Sequence, residues 1–190
     1  MGCNRGRLSV VVWRTADGRL HTTLRGHTNS VQSVAIDAAG RLIASAGFDG
    51  VVKLWDANEG VCTMTLPAHS GGALCVALSR DGCLLVTGGF DRTVKLWATG
   101  SGEHLATLTG HTGAVWGVSL DAAADTLASA SFDGAIRLWS LPVGTCRRTL
   151  QVDRPFERVN IGGLSGVTAA SRAGLMAQGA IDQAAIKTLV

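Results

Sequence analysis

Phe48-Asp49-Gly50-Val51-Val52-Lys53-Leu54-Trp55-Asp56 packs a turn signal, a short apolar run and a tryptophan into one stretch. Asp and Gly tolerate the positive φ of primed turns, so Asp49-Gly50 reads as a hairpin corner. The run from Val51 to Trp55 reads as a strand. Adding 42 to each number finds Phe90-Asp91-Arg92 ahead of Lys95-Leu96-Trp97, and adding it again finds Phe132-Asp133-Gly134 ahead of Arg137-Leu138-Trp139. Subtracting it finds Trp13. The same interval relates His27, His69 and His111; Ser45, Thr87 and Ser129; and Leu24, Leu66, Leu108 and Leu150. A fixed period of this length marks one supersecondary unit copied in tandem.

Each unit reads as four short strands. Apolar residues alternate from Ser30 to Ile36, with counterparts at Leu74 to Leu78 and Val115 to Leu120. Turns follow at Ala39-Gly40, at Asp81-Gly82 and between Asp121 and Asp125. Second strands run from Leu42 to Ala46, Leu84 to Gly88 and Leu127 to Ala130. The third end at Trp55, Trp97 and Trp139, and the fourth, after Gly60, Gly102 and Gly144, reach Leu66, Leu108 and Leu150. Short strands at even spacing in blocks of four predict an all-β fold of meander sheets repeated radially. Residues 8–24 hold only the last two strands of such a unit. The segments are therefore 1–24 with a half unit, repeats at 25–66, 67–108 and 109–150, and a tail at 151–190. In the tail, Thr168 suits a helix N-cap, Ala169 to Gln178 a short helix and Gly179 its end.

Composition narrows the function. The chain is 46% hydrophobic with a net charge of +3, and no window holds the 18 or so apolar residues of a membrane span. The first residues lack a signal-peptide apolar run, and Gly6 stands where a myristoylation site needs Ser or Thr. A cytoplasmic protein is expected. Cys3, Cys62, Cys75, Cys83 and Cys146 have no CxxC spacing and read as small buried hydrophobes in a reducing compartment. No Cys or His cluster suggests a metal site, and no cofactor is expected. Lys53, Lys95 and Arg137 share a repeat position and read as a solvated stripe, too weak a basic patch for nucleic acid.

Gly26-His27, Phe48-Asp49-Gly50 and Lys53-Leu54-Trp55-Asp56 resemble the signature of the Trp-Asp (WD) repeat, the blade unit of β-propellers. Gly110-His111, Phe132-Asp133-Gly134 and Arg137-Leu138-Trp139-Ser140 form a second good copy. The middle copy departs at Ala68-His69 and Trp97-Ala98. The resemblance covers residues 8–150 and implies three full blades and a half blade of a propeller. It implies a structural tetrad in each full blade: His27, Ser45, Asp49 and Trp55; His69, Thr87, Asp91 and Trp97; His111, Ser129, Asp133 and Trp139. Ser, His and Asp also suggest a hydrolase triad, but three copies at identical offsets, each with a tryptophan, favour a scaffold over a nucleophile. His21 and His104 are off-phase singletons, so an enzyme working through the propeller channel ranks below a non-catalytic module.

The resemblance implies partner binding on the face bearing the loops before the first strands and the second-to-third turns. Phe48, Phe90 and Phe132 fall there, with Gln32, Leu74 and Trp116 beside them at equivalent positions. Two readings of the phenylalanines stand: hot spots for a protein partner, or packing against the neighbouring blade. Trp116 is the stronger binding candidate. The half blade allows three readings: part of a longer propeller, copies that associate with Arg158 to Ile161 supplying a strand, or an open arc. The first is favoured, and a truncated fragment that folds only on assembly is its less functional variant. Asn160-Ile161, Gly163, Gly166, Thr168, Ala170, Arg172, Leu175 and Gly179-Ala180 resemble a segment after the last repeat in bacterial multidomain WD-repeat proteins. The expected function is a protein-interaction scaffold or sensor within a bacterial regulatory protein.

Overall fold

The computed structural model describes residues 8–141 and 143–151, all within strands and the turns joining them. The expected helix at 169–178 and the strand at 158–161 lie outside the described residues. Ser9–Trp13 (β1) and Leu20–Arg25 (β2) form a two-stranded antiparallel sheet. Val31–Ile36 (β3), Leu42–Gly47 (β4), Val51–Asp56 (β5) and Cys62–Pro67 (β6) form the first four-stranded sheet. Ala73–Leu78 (β7), Leu84–Gly89 (β8), Val94–Ala98 (β9) and His104–Leu108 (β10) form the second. Val115–Leu120 (β11), Thr126–Ser131 (β12), Ala135–Ser140 (β13) and Thr145–Gln151 (β14) form the third. Each sheet is a meander in sequence order, as short turns between successive strands require.

The first strands lie innermost: β7 packs against β3 on one side and β11 on the other. Stacked sheets bury both faces of their second strands, and β4 and β8 are buried along nearly their whole length. Fourth strands lie outermost, and every residue of β14 is exposed. Three apolar clusters fill the gaps between sheets. The half sheet and first sheet share Leu24, Ile43, Trp55 and Ala57. The first and second share a cluster that includes Ala46, Leu54, Leu66, Leu85 and Trp97. The second and third share one that includes Val86, Leu96, Leu108, Val115 and Trp139. The described chain is thus three full propeller blades and a half blade.

Three expectations need correction. The second-to-third turns are not primed turns. Gly47 C=O accepts from Gly50 N–H at 3.0 Å, and only Gly50, at φ 82°, takes the left-handed conformation. This is a three-residue corner, a tight turn closed by one left-handed residue, and it leaves Asp49 in an ordinary conformation. Cys62, Cys83 and Cys146 are exposed rather than buried. Cys62 and Cys146 sit on outermost strands; among the described cysteines only Cys75 is interior, where burial pushes its thiol up to about 12. Lys53, Lys95 and Arg137 are half-buried and not a solvated stripe. Lys53 Nζ donates to Thr65 Oγ1 at 2.8 Å, and Lys95 Nζ reaches the Ala68 carbonyl.

The middle corner places Arg92 where the others place glycine, at φ 66°. An L-residue held there costs about 1–2 kcal/mol, partly offset by the greater freedom of unfolded glycine. Arg92→Gly is expected to raise stability by about 1 kcal/mol, read as a higher urea midpoint with unchanged slope. A lowered midpoint contradicts this reading of the corner.

Candidate partner-binding face

At one end of the sheets, the loops before β3, β7 and β11 meet the second-to-third corners. A hydrogen-bonded chain holds them together in each full blade. In the first, Trp55 Nε1–H donates to Ser45 Oγ at 2.8 Å, and Ser45 Oγ lies 2.8 Å from His27 Nε2. His27 Nδ1 lies 2.9 Å from Asp49 Oδ2. A carboxylate only accepts, so Nδ1 carries the imidazole proton and Nε2 accepts from the serine hydroxyl. Thr87 does the same between Trp97, at 3.1 Å, and His69, at 2.8 Å, with Asp91 at 2.8 Å from His69 Nδ1. In the third blade Ser129 lies 2.8 Å from Trp139 and 2.7 Å from His111, whose Nδ1 is 2.9 Å from Asp133.

The carboxylates do more than orient histidines. Asp49 also accepts Thr28 N–H at 2.8 Å, and Asp133 accepts Thr112 N–H and Ala135 N–H, each at 2.9 Å. Burial raises the Asp133 pKa, but these amides and His111 together outweigh it and hold it down to about 2. Asp49 and Asp91 are lowered in the same way, burial again opposing the donors. Burial lowers His69, the Asp91 carboxylate opposing it and nearby Lys95 reinforcing it. Ser45, Thr87 and Ser129 are fully buried, and each hydroxyl oxygen already accepts an indole N–H. Each links an indole to an imidazole. His21 Nε2 lies 3.2 Å from the Ala57 carbonyl, and His104 Nε2 lies 2.9 Å from Thr107 Oγ1. Among the described residues no three His, Cys, Asp or Glu side chains are placed to hold a metal.

On this frame the aromatic side chains form a continuous row. Phe48 stacks on Phe90 with ring centres 5.7 Å apart and planes at 27°. Phe90 meets Trp116 edge-on at 5.9 Å, and Trp116 meets Phe132 edge-on at 4.9 Å. The row crosses all three full blades: Phe48 and Phe90 each meet an aromatic ring of the next blade, whereas Phe132 packs against Trp116 of its own. Phe132 is 72% exposed, Trp116 41% and Phe90 40%, while Phe48 is half-buried. Gly72 makes room for the stack. A Cβ there would come within 3.1 Å of Phe90 and 3.2 Å of Phe48, at a φ of 134° that disfavours any side chain.

Gln32, Leu74 and Trp116 share a feature that their spacing hides. Pairing shifts by one residue between Val31 and Ser33, between Ala73 and Cys75, and between Val115 and Gly117. Each of the three is therefore the extra residue of a β-bulge, which re-aims a side chain out of the regular alternation. The outcomes differ. Gln32 and Trp116 are exposed, whereas Leu74 is 3% exposed and unavailable to a partner. Leu74 belongs to β7, covered by β3 and β11 on both sides, so its inclusion on the binding face is corrected.

Blades of four antiparallel strands, each full blade locked by a buried polar chain, define a β-propeller repeat. A family model described as WD domain, G-beta repeat matches residues 18–56, 60–98 and 102–140, more than half of the chain. The chain belongs to the WD-repeat family. Each matched segment joins the fourth strand of one sheet to the first three of the next, so the sequence repeat is staggered against the structural blade. No curated protein matches the chain.

Ser45→Ala removes the acceptor of Trp55 and the donor to His27. It is expected to cost about 1–3 kcal/mol, against less than about 0.5 kcal/mol for exposed Ser101→Ala, both read from urea unfolding. Equal midpoints for the two variants contradict a structural tetrad. The pH dependence has a definite sign, because His69 and the three aspartates bind protons more weakly folded than unfolded. The unfolded chain therefore takes up more protons as pH falls. Stability is expected to be highest between pH 6.5 and 9, above which the Cys75 thiol ionises more readily in the unfolded chain, to fall below 6.5 through His69, and to fall again below 3.8, down to about 2 for Asp133. A urea midpoint that stays flat below pH 6.5 contradicts the His69 component.

Proposed function

We propose that this chain is a non-catalytic protein-binding module whose partner lies along the aromatic row from Phe48 through Phe90 and Trp116 to Phe132. The observation that carries this reading is the continuity of the row across three blades with its rings open to solvent. Aromatic anchors on a rigid frame contribute large contact areas while losing little side-chain freedom. WD-repeat blades are in general surfaces for protein–protein interaction, which supports the class of partner.

Exposed Gln32 can contribute a polar contact to a bound segment at the row's flank. The opposite end of the blades is a weaker candidate. An opening of about 500 Å³ there is lined by Ala38, Ala39, Arg41, Arg80 and the 122–124 alanines, and its Ser79 hydroxyl already donates to Asp81 at 2.6 Å.

The resemblance of residues 160–180 to a segment of bacterial multidomain WD-repeat proteins supports a setting in a bacterial regulatory protein. The absence, among the described residues, of a helix long and apolar enough to cross a membrane is compatible with action in the cytoplasm. Selection of peptides from a displayed random library against the purified chain tests the binding face. Trp116→Ala and Phe132→Ala are each expected to weaken selected peptides about tenfold or more, with wild-type circular dichroism under the binding conditions. Peptides that bind the double variant as tightly as the wild type place the partner elsewhere.

A further inference from the structure

Each gap between sheets is filled by the same pair of large side chains. Leu24 of β2 shares a cluster with Trp55 of β5, Leu66 of β6 with Trp97 of β9, and Leu108 of β10 with Trp139 of β13. In every case a fourth-strand leucine meets a third-strand tryptophan of the following sheet. The three paired tryptophans are 1%, 6% and 2% exposed, and the three leucines 1%, 4% and 4%. One of each kind is left without its counterpart. Trp13 of β1 is 60% exposed and Leu150 of β14 is 41% exposed.

Neighbouring positions repeat the pattern. Val52 and Val94 are fully buried, while Ile136, one period further on, is 40% exposed on β13, the strand that pairs with β14. The two ends of the described arc thus present opposite halves of an interface that the chain builds three times internally. An apolar tryptophan end and an apolar leucine end are complementary to each other. Neither is complementary to itself, so a two-fold contact between like ends is disfavoured.

We propose that a second copy of this chain docks head to tail, seating its Trp13 against Leu150 and Ile136 of the first. The contact is heterologous: every copy keeps one free end of each kind, and the assembly grows until it closes. This inference stands independently of the peptide-binding face, which lies on the rim formed by the loops and corners and not between sheets.

Mass in solution, by light scattering or sedimentation, tests it with variants that each disable one end. Wild type at micromolar concentration is expected at twice the 19.6 kDa chain mass or more. Trp13→Ser and Leu150→Asp are each expected to be monomers with wild-type circular dichroism, since both side chains are exposed. Mixed together, they retain one good tryptophan end and one good leucine end. The mixture is expected to give a dimer that grows no further. Ile136→Asp is expected to behave as Leu150→Asp and to pair with the same mate.

A monomeric wild type overturns the proposal and assigns the cover of these ends to other parts of a polypeptide. Association that survives both substitutions, or variants that fail to pair on mixing, also overturns it. Should Leu150→Asp fail to fold, Ile136→Asp takes its place in the mixture with Trp13→Ser, and the same dimer is expected.

Discussion

The buried hydroxyl of Ser45, Thr87 and Ser129 is the point on which each blade depends. It is closed off from bulk solvent, so every polar atom around it needs a hydrogen-bond partner. The oxygen accepts from the indole and its hydrogen goes to the imidazole, whose other nitrogen donates to an aspartate. Asp49 and Asp133 in turn gather backbone amides of the loop before the first strand and of the corner itself, while Asp91 takes the amide and hydroxyl of Thr93. One unbroken series of donors and acceptors thus connects the sheet interior to its most exposed loops. The terminal carboxylate sits where solvent still reaches it and lies against the imidazole, so it is not an isolated buried charge. Such a network rigidifies because every member is satisfied.

That rigidity makes an exposed aromatic row tolerable and useful. Phe48, Phe90 and Phe132 each precede a network aspartate by one residue, so their backbones inherit the fixed position of the corner. The β-bulge at Trp116 turns its indole toward Phe90 and Phe132, bridging the second and third blades. Edge and stacked contacts of this kind add about 0.5–1.5 kcal/mol each beyond area burial. Gly72, unlike Ser30 and Ala114 one period away on either side, gives Phe48 and Phe90 the space to stack. The surface and the frame are therefore one construction, built from side chains adjacent in sequence that serve opposite ends of the same corner.

Much of this was legible from spacing. The four-strand unit, the half unit at residues 8–24 and the recurring positions follow from a period of 42, and the tetrad that joins four of them follows from the resemblance to the WD repeat. The corner geometry was not legible, because Asp-Gly suits several turns and the hydrogen bond from His27 to Asp49 selects one. Leu74 was misplaced because its bulge position matches Gln32 and Trp116, while its strand lies between two others. The bulges themselves leave no trace in composition: the extra residue is an ordinary Gln, Leu or Trp. Half-buried Lys53 and Lys95 read as surface charges because their aliphatic stems, which cover apolar neighbours, are invisible to a count of charge.

The sequence by itself determined which residues form each blade and which polar atoms must meet inside it. Those relations are local, confined to one repeat and its adjoining loop, and tandem copies display them several times over. Exposure was decided only by tertiary structure. Trp13, Trp55, Trp97 and Trp139 are equivalent in sequence, yet one is open and three are buried. Leu24, Leu66, Leu108 and Leu150 divide the same way at the opposite end. Burial depends on the neighbouring sheet, and a repeat carries no mark of whether a neighbour stands beside it.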